Sequence, residues 1–234
     1  MKLNQEQIES LYQFTRQHYV EWYDLQTELV DHLANAIENQ WQQNPKLSFE
    51  DALQIEFKKF GVFGFMDVVE KRQASLNKKY NKIVWNHFKE FFTIPKIFAS
   101  LTFIGLLFYV LNLNFYQREI LLISISFCVI SFVFILFYRK IKEKRENKIT
   151  DKRWLFKEII FSYGSIAGMF YLPFQIVINH ENSNAIHSVF WQLVFSFLII
   201  SMFLIEYIIL FEIPSKAEEY LKATYPEYEL ANSL

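Results

Sequence analysis

Four long apolar stretches dominate this chain beyond its first 93 residues: Ile94–Leu113, Ile120–Tyr138, Ile159–Ile178 and Val189–Ile213. Each approaches the roughly 20 residues that a helix needs to cross the hydrocarbon core of a bilayer. The pattern predicts an all-α protein, a small cytoplasmic helical domain followed by a four-helix transmembrane bundle. A hydrophobic content of 52%, with 26 Phe among 234 residues, suits side chains that face lipid rather than a soluble core.

Charge beside these stretches sets their direction, because short loops rich in Lys and Arg stay in the cytoplasm. The segment between the second and third stretches carries Arg139, Lys140, Lys142, Lys144, Arg145, Lys148, Lys152 and Arg153. The approach to the first stretch carries Lys78, Lys79, Lys82, Lys89 and Lys96, whereas the other two connections share a single basic residue, Arg118. Both termini and the central loop are therefore expected on the cytoplasmic side of a bacterial inner membrane. Residues 1–57 hold three basic and ten acidic residues, a balance of −7, and residues 58–96 reverse it to +6. Positive charge thus lies next to the bilayer. Lys78, Lys79, Lys82, Arg139, Lys140, Lys142, Lys144 and Arg145 are candidate contacts for anionic headgroups, at about 1 kcal/mol for each basic residue near the surface. Nucleic acid is not an expected partner. Tyr138 and Trp154 suit the inner aromatic belt, Tyr116 and Trp191 the outer one.

Residues 1–63 read as a cytoplasmic three-helix domain. A first helix is predicted over Asn4–His18. A second covers Asp24–Gln43, where Leu25, Leu29, Leu33, Ile37 and Trp41 recur every four residues and Pro45 ends the pattern. Ser48 with Asp51 three residues on forms a near capping box for a third helix, and Gly61 stands where a left-handed residue closes a helix. Phe63 and Phe65 are expected to fill the small core. Residues 64–93 read as a basic amphipathic linking helix, either a stalk or a helix lying on the bilayer, with Pro95 allowing a bend before the spans at 94–213. Residues 214–234 form a cytoplasmic tail after Pro214. A three-helix core of about 60 residues is marginal alone, so the linking helix or a second copy of the chain is needed to complete it. The N-terminal MKLNQEQIES lacks the apolar core of a signal peptide, so the first apolar stretch is expected to direct insertion.

The stretch DLQTELVDHLANAIENQWQQNP followed by LSFEDALQIEFKKFG resembles the small cytoplasmic domains of HAAS type. The matching positions are Glu28, Asp31, His32 and Leu33, then Ser48, Glu50, Asp51, Ala52 and Gly61, within residues 23–65. The connection Asn44–Leu47 is longer than in that family, and FKKFG replaces its Leu-Gly turn. The resemblance implies a non-catalytic bacterial signalling or regulatory module fused to membrane helices, of the kind that accompanies PadR-like regulators or transport systems.

Chemistry-bearing motifs are sparse. There is no phosphate loop, dinucleotide glycine pattern, HExxH or nucleophile elbow. No catalytic residue, cofactor or metal site is expected. Glu28, Asp31 and His32, with His18 nearby, read as a solvated acidic face rather than a ligand set, and His180, Glu181 and His187 as an outer turn. Cys128, the one cysteine, reads as a small buried apolar residue. Glu206 stands out because it lies about seven residues, roughly 10 Å, inside the last span at about 1.5 Å per residue. Thr102, Ser131, Ser162 and Ser165 fall at the same depth on the other helices and make a candidate polar layer around it. Such groups hydrogen-bond across helices. The functional expectation is a non-enzymatic integral membrane protein. Its cytoplasmic regulatory or sensory domain would dock a protein partner through Glu28, Asp31 and Glu38. The alternative is a small transporter or accessory permease subunit.

Overall fold

The computed structural model of the chain describes residues 2–113, 116–146, 152–162, 175 and 188–229, without the side chains of 140, 142–146 and 162. Among the described residues the protein is all-α, with no strand. Its helices are α1 (Gln5–Gln17), α2 (Tyr23–Gln43), α3 (Phe49–Lys58), α4 (Met66–Glu90), α5 (Lys96–Asn112), α6 (Gln117–Glu146), α7 (Leu155–Ser162), α8 (Val189–Tyr207) and α9 (Ala217–Lys222). A π-helical turn, Ile208–Glu212, and a short α-turn, Ile213–Ser215, follow α8. The helices form two compact units. One comprises Met1–Lys79, Thr150–Ile159 and Leu221–Leu234, the other Tyr80–Ile149 and Ile160–Tyr220. The division falls within α4.

Local signals account for the helix ends in the first unit. Asn4 and Gln7 form a capping box, each side chain accepting from the other's backbone N–H at 2.8 and 2.9 Å. Ser48 Oγ accepts from the Asp51 N–H at 3.1 Å and starts α3, as its spacing predicts. Between them the Trp41 indole N–H donates to the Leu47 carbonyl at 2.9 Å and secures the connection around Pro45. The four-residue stripe of α2 is the core of this unit: Leu25, Leu29, Leu33, Ile37 and Trp41 are all buried, with α1 and α3 packed on α2.

Gly61 and Gly64 both adopt left-handed backbone, φ +79° and +57°. At Gly64 an added Cβ would meet the Phe57 ring at 3.0 Å, so a larger residue would have to shift that ring as well as adopt the left-handed backbone. This turn drives Phe65 into the core, 1% exposed, with its ring edge-on to Phe14, Phe57 and Phe60 at 4.9–6.1 Å. Phe63 does not join it. The chain reverses at Gly64, which leaves Phe63 71% exposed beside the fully exposed Val62.

The unit is completed by two distant segments. The Tyr23 N–H donates to the Arg153 carbonyl at 2.7 Å, and the Leu155 N–H to Asp24 Oδ1 at 3.1 Å. The Trp22 indole donates to Glu158 Oε2 at 2.8 Å, and the Arg153 guanidinium pairs with Glu21 and Glu158. The tail returns through Tyr225, whose hydroxyl accepts from the Phe156 N–H at 3.2 Å. Trp154 is buried among Tyr23, Tyr225 and Tyr228, so it is a core residue of this unit and does not serve the aromatic belt expected of it. Burial pushes the Asp24 carboxyl above the usual range, and it pushes the adjoining Tyr225 hydroxyl up as well.

In the second unit, α5 and α6 pack against α8. The core joins Leu111, Leu121, Ile125, Cys128 and Phe132 to Phe195, Ile199, Met202, Ile209 and Leu210. The α4 helix stops at Glu90, and α5 begins only at Lys96. The Ser100 hydroxyl of α5 donates to the Phe91 carbonyl of the intervening turn at 2.7 Å. Among the described residues two helical segments are long and apolar enough to cross a membrane, Gln117–Arg139 with 23 residues and Val189–Ser215 with 27; Lys96–Asn112 is a shorter apolar helix. The π-turn before Pro214 is consistent with that residue's missing N–H, which cannot bond the Leu210 carbonyl in α geometry. Ser165, Gly164, Gly168, Pro173, His180, Glu181 and His187 lie outside the described residues.

Candidate functional site

α6 and α8 meet at Glu206. Its carboxylate is buried on the inner face of α8. The Ser131 hydroxyl lies 2.7 Å from its Oε1, and the Cys128 thiol donates to Oε2 at 2.8 Å. Cys128 and Ser131 are three residues apart and so share one face of α6. Ser131 also lies 3.0 Å from the Cys128 carbonyl, so its hydroxyl is held by its own helix while it reaches the neighbour. Of the expected polar layer, then, the structure brings Ser131 to Glu206. Thr102 does not join it: it is exposed, and its hydroxyl donates to the Phe98 carbonyl at 2.7 Å within α5. The Ser162 side chain and Ser165 lie outside the described residues. Cys128, read from the sequence as a small apolar residue, is the group that reasoning missed. Its position three residues before Ser131 was the available signal.

The arrangement satisfies a carboxyl by two donors from one neighbouring helix, which fastens α8 to α6. Glu206→Gln keeps an acceptor oxygen and should lower the thermal stability of the detergent-purified protein by about 0.6 kcal/mol for each interhelical bond weakened. Glu206→Leu, which leaves both donors without their acceptor, should cost more. A Gln variant as unstable as the Leu variant would show that the fold uses the charge rather than the acceptor.

On α2, Glu28 and Asp31 are exposed. Glu38 is half-buried and accepts from the Leu3 N–H at 3.1 Å, so it secures the segment ahead of α1 as well as contributing charge. His32 is exposed near the Phe60 ring, and it lines a shallow open cleft with Glu56, Lys59 and Phe60. Burial would raise the Glu56 carboxyl, but the bonds from Lys59 and Gln40 outweigh it and hold the group below the usual range. His18 is held elsewhere, against Phe14, Phe57 and Phe65.

Among the candidate lipid contacts, Lys78 and Lys82 are exposed on α4. The Lys79 ammonium is committed to its own unit, donating to Thr224 Oγ1 at 2.8 Å and lying 5.4 Å from the Phe156 ring centroid. Arg139 is half-buried over the Phe211 ring. The side chains of Lys140, Lys142, Lys144 and Arg145 lie outside the described ones.

A second cluster, with no counterpart in the sequence reading, joins His87 and Glu90 at the end of α4 to Glu212 at the end of the π-turn. His87 Nδ1 lies 3.2 Å from Glu212 Oε1 and 3.5 Å from Glu90 Oε2, and its Nε2 lies 2.7 Å from the Tyr220 hydroxyl. Lys96 and Lys216 approach the two carboxylates at 3.6–3.8 Å. Comparison with protein-family models, with curated proteins and with solved structures finds no match to this chain.

Proposed function

We propose that this chain is a non-enzymatic, multi-pass protein of a bacterial inner membrane. In this reading four helices, at about 94–113, 120–138, 159–178 and 189–213, cross the bilayer with both termini in the cytoplasm. The cytoplasmic unit is a regulatory or sensory module that docks a protein partner through the acidic face of Glu28, Asp31 and Glu38.

The observation that carries the membrane reading is the apolar outer surface of the second unit, with a few polar groups buried beneath it. Ser196, Gln192 and Glu206 of α8 are buried, while Phe98, Phe103, Ile123, Phe127, Val133, Phe134, Phe137 and Phe197 are exposed. Only 22% of the most apolar part of Gln117–Arg139 is buried, and 44% of that of Val189–Ser215. The core helix of a soluble protein hides such residues, whereas a lipid-facing helix turns them outward and keeps ionisable groups inside.

Topology finds support in the first unit. Residues before Lys79, the segment Lys152–Ile159 and the tail from Leu221 meet in one body, through Asp24, Leu155, Phe156 and Tyr225. A chain that leaves this body and returns to it twice must cross the membrane an even number of times on each excursion, which two helical hairpins satisfy. A transporter would need a continuous polar path, whereas the buried polar groups of α8, Gln192, Ser196, Ser201 and Glu206, are interspersed with buried Phe195, Ile199 and Met202. The resemblance to HAAS-type modules adds the regulatory role, and the exposed Glu28 and Asp31 supply a charged surface for a basic partner.

A reporter inserted after Asn182 should prove periplasmic and one after Lys148 cytoplasmic; cytoplasmic activity after Asn182 refutes four crossings. Lysine at Glu28, Asp31 and Glu38 together should abolish co-purification of a cytoplasmic partner, whereas lysine at the exposed Glu6 and Glu9 of α1 should not. Unchanged recovery after the first reversal counts against docking on that face.

A further inference from the structure

We propose that His87, Glu90 and Glu212 form a binding site for a divalent first-row transition metal ion of the zinc class. Their ligand atoms all lie within 4.8 Å of one another. In a four-coordinate site with bonds of about 2.0–2.1 Å, neighbouring ligand atoms are about 3.3 Å apart. The His87–Glu212 and His87–Glu90 separations, 3.2 and 3.5 Å, already match that edge.

A second observation separates this cluster from an ordinary ion-pair network. His87 is 6% exposed, and its Nδ1, aimed between the two carboxylates, makes no hydrogen bond; the buried Glu212 Oε2 makes none either. An imidazolium would put its Nδ1–H in line with one of those oxygens. The opposite ring nitrogen lies against the Tyr220 hydroxyl at 2.7 Å. With Nε2–H donated there, Nδ1 presents a lone pair toward two anionic oxygens, a repulsive arrangement that a cation between them resolves. A metal-bound histidine is commonly oriented in this way through its other nitrogen. An imidazole with two carboxylates suits zinc, cobalt, nickel or iron(II), whereas calcium and magnesium prefer all-oxygen sites. Lys96 and Lys216 are 42% and 44% exposed and lie beyond hydrogen-bond distance, so both can turn to solvent when an ion enters.

The test is a titration of the full-length, chelator-treated protein in detergent with Co2+ alone. One Co2+ should bind per chain with the visible absorption of a four-coordinate ion, and Zn2+ should displace it. His87→Asn and Glu212→Gln should each weaken binding at least tenfold, and Tyr220→Phe, which keeps all three donors, by about 10-fold. Buried positions can disturb folding, so the exposed Glu90→Gln is the decisive variant: it should weaken binding at least tenfold with helical circular dichroism unchanged. Removing His180 and His187 together should leave binding as it was. Absence of the absorption at millimolar Co2+, unchanged affinity in Glu90→Gln, or loss of binding only when His180 and His187 are removed would each overturn the assignment.

Discussion

Phe65→Ala is expected to unfold the first unit, at a cost of about 3–5 kcal/mol for truncating a buried phenylalanine. The ring is 1% exposed, and Phe14, Phe57 and Phe60 all stand edge-on to it, so its removal takes away three aromatic contacts as well as leaving a cavity. The neighbours cannot collapse into that space easily. Phe57 is braced against Gly64, and α1 is set by its own capping box. Domain stabilities are only about 5–15 kcal/mol, so a loss of this size consumes much of the reserve. The measurement is thermal unfolding of the detergent-purified chain, followed with limited proteolysis of residues 1–79. Phe63→Ala, two positions away and exposed, should shift stability by no more than about 0.5 kcal/mol. Equal effects at the two positions would contradict the packing.

That contrast marks where sequence reading succeeds and where it stops. The core stripe of α2 is legible because a four-residue repeat of Leu, Ile and Trp can only line one side of a helix. The start of α3 is legible because Ser48 and Asp51 act within one turn, and Gly61 because the left-handed backbone is a local requirement. Phe63 and Phe65 differ by the direction in which a turn sends two neighbouring side chains, which the apolar pattern does not encode. Depth counting likewise gives height without azimuth. It pairs Ser131 with Glu206, but it equally nominates Thr102, which is exposed and bonds its own helix. Cys128 reads as a small apolar residue by type alone, although its spacing to Ser131 puts both on one face. His87 and Glu212 are 125 positions apart by their numbering, and nothing near either announces the other.

The second large effect is expected at Trp154, where the same limitation bears on the domain boundary. An aromatic residue just after a basic loop and before an apolar stretch reads as a membrane-interface anchor. In the structure it is 3% exposed, with the Tyr23 and Tyr228 rings edge-on and the Tyr225 ring tilted against it at 4.9–5.4 Å, and the next residue ties its backbone to Asp24. Trp154→Ala should therefore cost about 3–5 kcal/mol, the range for deleting a buried Trp from a core. Its consequence differs from that of Phe65→Ala, because Trp154 joins segments far apart in sequence. The tail from Leu221 has Tyr225 and Tyr228 against this indole, and without it the remaining hydrogen bonds, Phe156–Tyr225 and Lys79–Thr224 among them, are worth only about 0.5–1.5 kcal/mol each. Proteases should cut the variant between Lys222 and Glu229 at concentrations that leave the wild type whole, while α1–α3 stay resistant. Trp191→Ala, at a 40% exposed position, should leave the tail protected. If the Trp154 variant keeps its tail protected as well, the indole is not what holds these segments together. The two excursions of the chain would then no longer be tied to one body, and an even number of crossings on each would not follow.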